Sequence, residues 1–369
     1  MEYLILAAAL LILFVIYLIR CSLEEKKLWR NLKKSLTENY GKPSTKKYQE
    51  GRLKTIAGHF QNKKTEDAID AITWNDLDLD RVFQSMDFTL SAAGEESLYT
   101  MLRCPVFEED TLKERETLIR YFMLHPDDRV TMQMLFAKIG RTGKYSIYDY
   151  IAYLDDVEQG SNRSHYLMLG LMAMAVILCF FNPGYGLLVL CVLLCINMVT
   201  YFKQKKEIDP YIATFAYFIR ILKVTEEFSA HPIEILKPWM EQIAAGRAKF
   251  KKFRRFSSVL MQQNSMSGNP IDVVMDYLRM GLHVNLIKFN TMLREAKKYK
   301  QDMIRIIETM GYIEAMISIG AYRSSLPDYT LPEFGQKGLC ARKLYHPLIK
   351  DPVRNAYKRY AADRFQCIR

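Results

Sequence analysis

Two uninterrupted apolar blocks decide most of what this chain can become. The first, residues 3–19, carries no charge from Tyr3 to Ile19 and is closed by Arg20. The second, residues 166–202, is divided by Asn182, Pro183, Gly184, Tyr185 and Gly186, a turn whose proline and glycines stop one helix and start another. A bilayer core takes roughly 20 residues of helix to cross, so a first block of about 17 residues and two arms of about 16 suit short spans. The rival readings are a cleaved signal peptide for the first block and a buried hairpin of a soluble core for the second. Against the first, Glu2 stands where a signal peptide is basic, and no small-x-small cleavage site follows. Against the second, Tyr166, Phe180, Phe181, Tyr185, Tyr201 and Phe202 edge the hairpin, as rings that settle at headgroup level do.

Short cytoplasmic loops are enriched in Lys and Arg, and that bias orients the spans. Arg20, Lys26, Lys27, Arg30, Lys33 and Lys34 follow the first block, Lys203, Lys205 and Lys206 follow the hairpin, and the turn at 182–186 has none. The expectation is a three-span protein of a bacterial-type inner (cell) membrane, with the N-terminus and the turn outside and the bulk of the chain cytoplasmic.

Half of the residues are hydrophobic, yet the mean hydropathy is only −0.10, because the apolar content is gathered into those blocks. The formal charge of +11, from 52 Lys and Arg against 41 Asp and Glu, suits a body beside anionic lipid or nucleic acid and does not choose between them. Of seven cysteines, Cys179, Cys191 and Cys195 lie in the hairpin and Cys21, Cys104, Cys340 and Cys367 are scattered; they form no metal-type pair and read as reduced. The six histidines enter no Ser-His-Asp, Cys-His or His-x-x-x-His grouping, which argues against hydrolase and zinc chemistry.

The 369 residues divide into a membrane anchor (1–20), a juxtamembrane helix and linker (21–73), a helical body in two parts (74–165 and 203–323) around the hairpin (166–202), and a strand-containing segment (324–369). Apolar spacing predicts helices over 91–102, capped at Ser91, and over 109–124, 211–222, 232–252, 272–282 and 283–321. Past Ser324, Pro327, Pro332, Gly335 and Gly338 mark a change of texture. The class is mainly α, with transmembrane helices and a short strand-containing fragment at the C-terminus.

Several runs, in order, resemble the core (lever) domain of MutS-type mismatch-repair ATPases. They are residues 74–83, from Trp74 to Phe83; 87–98, with Thr89, Ser91 and Gly94; Leu102, Arg103 and Pro105; and Leu112 with Arg115. Far downstream, residues 311–320, Tyr329 with Pro332, His346-Pro347-Leu348, and Pro352 to Asn355 resemble the entry to that family's ATPase domain. Glu314 stands where the family usually has Asp. The resemblance implies a MutS-like helical lever followed by the start of an α/β ATPase domain. It also implies ATP and Mg²⁺ as cofactors of intact members, DNA as a partner and a homodimer formed through the ATPase domains. His346, Val353, Arg354 and Asn355 would then be the remnant of a nucleotide site.

Two family features are missing. The anchor occupies the place of the mismatch-reading domain with its Phe-x-Glu wedge; Phe107-Glu108-Glu109 fits that pattern only formally, lying inside the lever. The hairpin interrupts the lever near where soluble relatives extend a DNA clamp. The chain is thus similar to the membrane-anchored, wedge-less MutS-like proteins of bacteria. The 369 residues contain no Gly-x-x-x-x-Gly-Lys-Ser/Thr, and Gly140-Arg-Thr-Gly143-Lys144 has the wrong spacing. Without that loop no backbone nest cradles the nucleotide phosphates, so no cofactor and no ATP hydrolysis are expected of the chain as written. The last residues, 361–369, read one base later with suitable synonymous codons, spell Leu-Leu-Thr-Gly-Ser-Asn-Ala-Ser-Gly, the start of such a loop. The expectation is a frameshift after Asn355 that removed the ATPase domain and left a tail, 345–369, prone to proteolysis.

The strongest local candidate for contact with nucleic acid or lipid is the run holding Arg247, Lys249, Lys251, Lys252, Arg254 and Arg255. Its cations suit phosphates, while Phe250, Phe253 and Phe256 recur every third residue and suit burial on one face. A solvated basic face over a core stripe accounts for the same pattern. Beside the DNA-binding lever stand two other classes of function: a non-enzymatic membrane scaffold that docks partners on the lever, and a lipid-organising protein.

Overall fold

The apolar blocks do not end as separate anchors. Each continues as helix into the polar chain. In the computed structural model, which describes residues 2–48, 51–142, 146–158, 160–255, 281–333, 339–349 and 351–359, α1 (Glu2–Glu38) carries the first block and the basic stretch after it as one helix. Leu13, Val15, Ile16, Tyr17 and Ile19 on it are exposed. The chain turns at Gly41, whose φ of +76° is the left-handed region glycine enters without strain.

The hairpin is α10 (Arg163–Phe181) and the first half of α11 (Pro183–Ser229). Asn182 starts α11: its side-chain oxygen accepts the Tyr185 N–H at 3.3 Å, and Pro183 sits in the first turn, where its missing donor costs nothing. The segments Arg163–Phe181 and Pro183–Gln204 are long and apolar enough to cross a membrane, and at their tip Phe180 and Phe181 are 84% and 83% exposed.

The body is mostly helical. Before the hairpin come α2 (Arg52–Ile56), α3 (Gly58–Lys63), α4 (Ala71–Asp76), α5 (Leu79–Met86), α6 (Ala92–Arg103), α7 (Glu109–Leu124), α8 (Pro126–Ile139) and α9 (Ile147–Ala152); after it come α12 (Lys237–Lys249), α13 (Lys251–Arg255), α14 (Val284–Lys298) and α15 (Lys300–Ser325). α6 begins after the cap at Ser91, and α7 spans the residues its spacing predicts. α15 is the central element. It buries Ile306, Ile307, Met310, Ile313, Met316 and Ile317 and packs along α6 and α7, while α11 adds Phe215, Tyr217, Phe218, Ile221 and Leu222 to the same core.

Three predicted helices have other limits. The stretch 211–222 is not a separate element, because α11 runs from the turn to Ser229 and passes through Pro210, which forfeits one backbone donor without ending the helix. The stretch 232–252 is a 3₁₀ turn (Glu234–Leu236), then α12, then a break at Phe250 before α13; the stretch 283–321 breaks at Tyr299. These two breaks meet. Phe250 and Tyr299 pack edge to face at 5.7 Å, so each backbone leaves helical geometry where an aromatic ring turns into one cluster. The predicted helix 272–282 lies, but for its last two residues, outside the described residues.

After α15 the expected strands appear as β1 (Leu339–Leu344) and β2 (Asn355–Arg359). They pair antiparallel, with Leu339 opposite Arg359 and Leu344 opposite Asn355. The register slips between Ala341 and Leu344, where Lys343 takes a left-handed φ of 56°.

Candidate functional site

The loop that enters α6 would bury several backbone donors without partners, as any helix start does. Glu314, projecting from α15, supplies the acceptors. Its carboxylate takes the N–H of Leu90, the N–H of Ser91 at 3.0 Å and the Ser91 hydroxyl, while Ser91 Oγ accepts the Gly94 N–H at 3.1 Å. α11 joins through Tyr217, whose hydroxyl accepts the Ala93 N–H at 2.9 Å. Gly94 and Gly311 make the approach possible: a Cβ on Gly94 would fall inside the Glu314 carboxylate, and one on Gly311 would collide with Ser97 and the Ala93 carbonyl. Ser318, one turn beyond Glu314, accepts the Phe88 N–H and donates to the Met86 carbonyl, both at 2.8 Å. The runs 87–98 and 311–320 are therefore one physical unit.

A second polar layer ties the linker to this hub. Buried Asp87 accepts Lys46 Nζ, the Tyr48 hydroxyl, the Thr89 N–H at 2.9 Å and the Thr89 hydroxyl at 2.6 Å. Burial pushes its carboxyl up, but the Lys46 charge and these donors outweigh that and hold it below the usual range. Arg52 pairs with buried Glu95. Among the described residues no cation contacts Glu96 or Glu314 directly, and burial pushes them up to about 8 and about 7, respectively.

Beside the hub lies a cleft of about 400 Å³, walled by His59, Lys63, Thr100, Glu308, Trp239 and Tyr312 among others. His59 lies between two oxygens, Glu308 Oε1 at 3.2 Å from Nε2 and Thr100 Oγ1 at 3.1 Å from Nδ1, and it stacks on Tyr148 at 3.9 Å. The Thr100 hydroxyl also reaches the Glu96 carbonyl at 2.8 Å. Among the described residues no group of three or more His, Cys, Asp and Glu is arranged to hold a metal ion.

The residues singled out from the sequence fall in two other places. The run 247–255 is split by the break at Phe250. Phe250 and Phe253 are fully buried against Phe218, at 4.9 and 5.5 Å, while Phe256 lies outside the described residues. Lys249 is held by Asp302 at 2.8 Å and Arg254 by Glu226 at 2.6 Å; Arg247 is half-buried; Lys251, Lys252 and Arg255 are exposed. His346 follows β1, Val353 and Arg354 precede β2, and Asn355 begins it; all four are exposed. His346 Nδ1 accepts the Leu348 N–H at 3.3 Å, closing its own turn, and Arg354 pairs with Asp328.

Sequence reasoning missed His59, Glu308 and the Lys46–Asp87 pair. Each is a lone polar residue in its own segment, and only tertiary packing brings it to a partner. Comparison of the chain with protein-family models, with curated proteins and with solved structures finds no match.

Proposed function

We propose that this chain is a membrane-anchored, MutS-like helical lever that holds DNA close to the bilayer without hydrolysing ATP. The observation that carries this reading is the docking of 87–98 on 311–320 through Glu314, since it joins a run that resembles the family's lever to one that resembles the entry to its ATPase domain. ATP, Mg²⁺ and dimerisation through an ATPase domain belong in this reading to intact relatives. Three spans, with the body on the cytoplasmic side, follow from the charge of the flanks.

The full chain in neutral-lipid nanodiscs, titrated with a fluorescent duplex, tests it. If Lys251, Lys252 and Arg255 each neutralise a phosphate, affinity falls about 40-fold between 50 and 200 mM salt. Absence of binding at 50 mM salt overturns the DNA role. One observation favours a second reading, a membrane scaffold that docks partners on the lever: Asp302 and Glu226 already neutralise Lys249 and Arg254, which thins the basic run.

A further inference from the structure

Where α1 ends on the body, a cavity of about 420 Å³ opens between α1, the linker after it, the loop before α6 and α8. That is the size of a small-molecule site. Its apolar lining is Leu32 and Leu36 of α1 with Phe88, Leu90 and Ala321. Leu32 lies 13 residues after Ile19, the end of the first apolar block. In the membrane-anchored reading that is about 20 Å along the helix, so the cavity opens to the aqueous phase and not to lipid headgroups.

The polar lining is out of balance in two ways. Lys46 Nζ, at 3.1 Å, and Arg141 Nη2, at 2.7 Å, converge on one neutral acceptor, the Thr89 carbonyl oxygen. Lys42 adds a third cation, whose Nζ meets the neutral Asn39 side chain at 3.0 Å. The one carboxylate among the described residues of the lining, Asp87, is fully buried and already takes donors from Lys46, Tyr48 and Thr89. Glu95, 3.9 Å from Lys46, is paired with Arg52. Burial, helped by the Arg141 charge and opposed by Asp87, holds the Lys46 ammonium below the usual lysine range.

The other imbalance is Gln133 on α8. It is 5% exposed, lines the cavity, and its side-chain oxygen is buried with no hydrogen-bond partner among the described residues. Native cores leave few acceptors in that state, because each costs its full desolvation.

We infer that this cavity binds a small organic acid that has an apolar body for Leu36, Phe88 and Leu90, an N–H or O–H donor for Gln133, and a carboxylate for Arg141 and Lys42. Arg141 still has N–H groups to give, and a charge-assisted pair with a carboxylate is stronger than its neutral bond to Thr89. The occupant touches α1, the linker and the hub at once, so it clamps the anchor helix to the body.

Titration calorimetry of the full chain in neutral-lipid nanodiscs, with empty nanodiscs as the blank, tests the site with indole-3-acetate as probe. One molecule per chain is expected. Indole, which lacks the carboxylate, and phenylacetate, which lacks the donor, should each bind at least about tenfold more weakly. Arg141→Gln, at an exposed side chain, should weaken indole-3-acetate at least about tenfold and leave indole unaffected. Gln133→Met removes the unpaired oxygen at nearly constant volume. It should raise the melting temperature of the ligand-free chain, where loss of a purely structural residue would lower it, and it should make indole-3-acetate and phenylacetate bind alike. No saturable binding of indole-3-acetate, equal affinity of the wild type for all three probes, or binding unchanged in both variants overturns the site. Should Gln133→Met fail to fold, Arg141→Gln decides alone.

Discussion

Glu314 accepts the backbone N–H of Ser91 at 3.0 Å across 223 residues of sequence. Ser91 caps α6 locally, and the carboxylate from α15 satisfies the donors at and just before that cap, which makes the first part of the body depend on the second. Glu314→Ala leaves two N–H groups and a hydroxyl buried without an acceptor and should cost about 3 kcal/mol or more, read as a lower melting temperature by circular dichroism. Glu314→Gln, which keeps one acceptor oxygen, should cost less.

The same group gives stability a pH dependence with a definite sign. Its folded value of about 7 lies above the ordinary 4.5, so between those values the native chain keeps a proton that the unfolded chain has released. Stability should therefore fall as pH rises from about 4.5 to about 7, by about 3 kcal/mol in all, and flatten above that. Glu96, pushed up to about 8, acts in the same direction and extends the fall. Melting curves of wild type and Glu314→Gln across this range should differ in slope below pH 7 and run parallel above it; identical slopes would sink the assignment to Glu314.

Gly94→Ala separates close approach from helix propensity. In an open helix the change gains up to about 1 kcal/mol, but here the new methyl collides with Glu314. A loss of about 2 kcal/mol or more is expected, from overpacking and the displaced carboxylate. Gly170, with open space around it in α10, is the matched control and should show no loss.

The basic run should divide by function. Lys249→Ala removes a partly exposed ion pair with Asp302 and should change stability by less than about 1 kcal/mol, without altering the salt dependence of the proposed DNA binding. Replacing Lys251, Lys252 and Arg255 together by Ala should leave the melting temperature unchanged and flatten the plot of log affinity against log salt by about 2.7.

Topology has its own test. Gly184→Cys, at the tip of the hairpin, should react with a membrane-impermeant maleimide in intact cells, and Ser229→Cys at the far end of α11 only after lysis, in a background without the native cysteines. The reverse pattern would invert the proposed orientation.

What could be read from the sequence was what is written locally. Asn182-Pro183 announces a helix start, Ser91 announces another, and the apolar blocks announce the hairpin, because each signal acts within a few residues. The mainly α class followed from the same periodicities. The breaks at Phe250 and Tyr299 were not legible, since each side chain is a good helix residue until the other is placed against it. The hub lay in between: its two runs could be picked out, but their contact through Glu314 depends on a fold that spacing does not contain.

α11 runs unbroken for 47 residues, from the tip of the hairpin into the packed core. A helix of that length is about 70 Å long, more than twice the thickness of a bilayer's hydrocarbon. Such a rod converts angle into distance: a tilt of about 10° at the bilayer shifts its far end by about 12 Å if it pivots at the tip. In the membrane-anchored reading proposed above, bilayer thickness and curvature are felt in the body as lateral displacement, and a load on the body is felt in the lipid as torque.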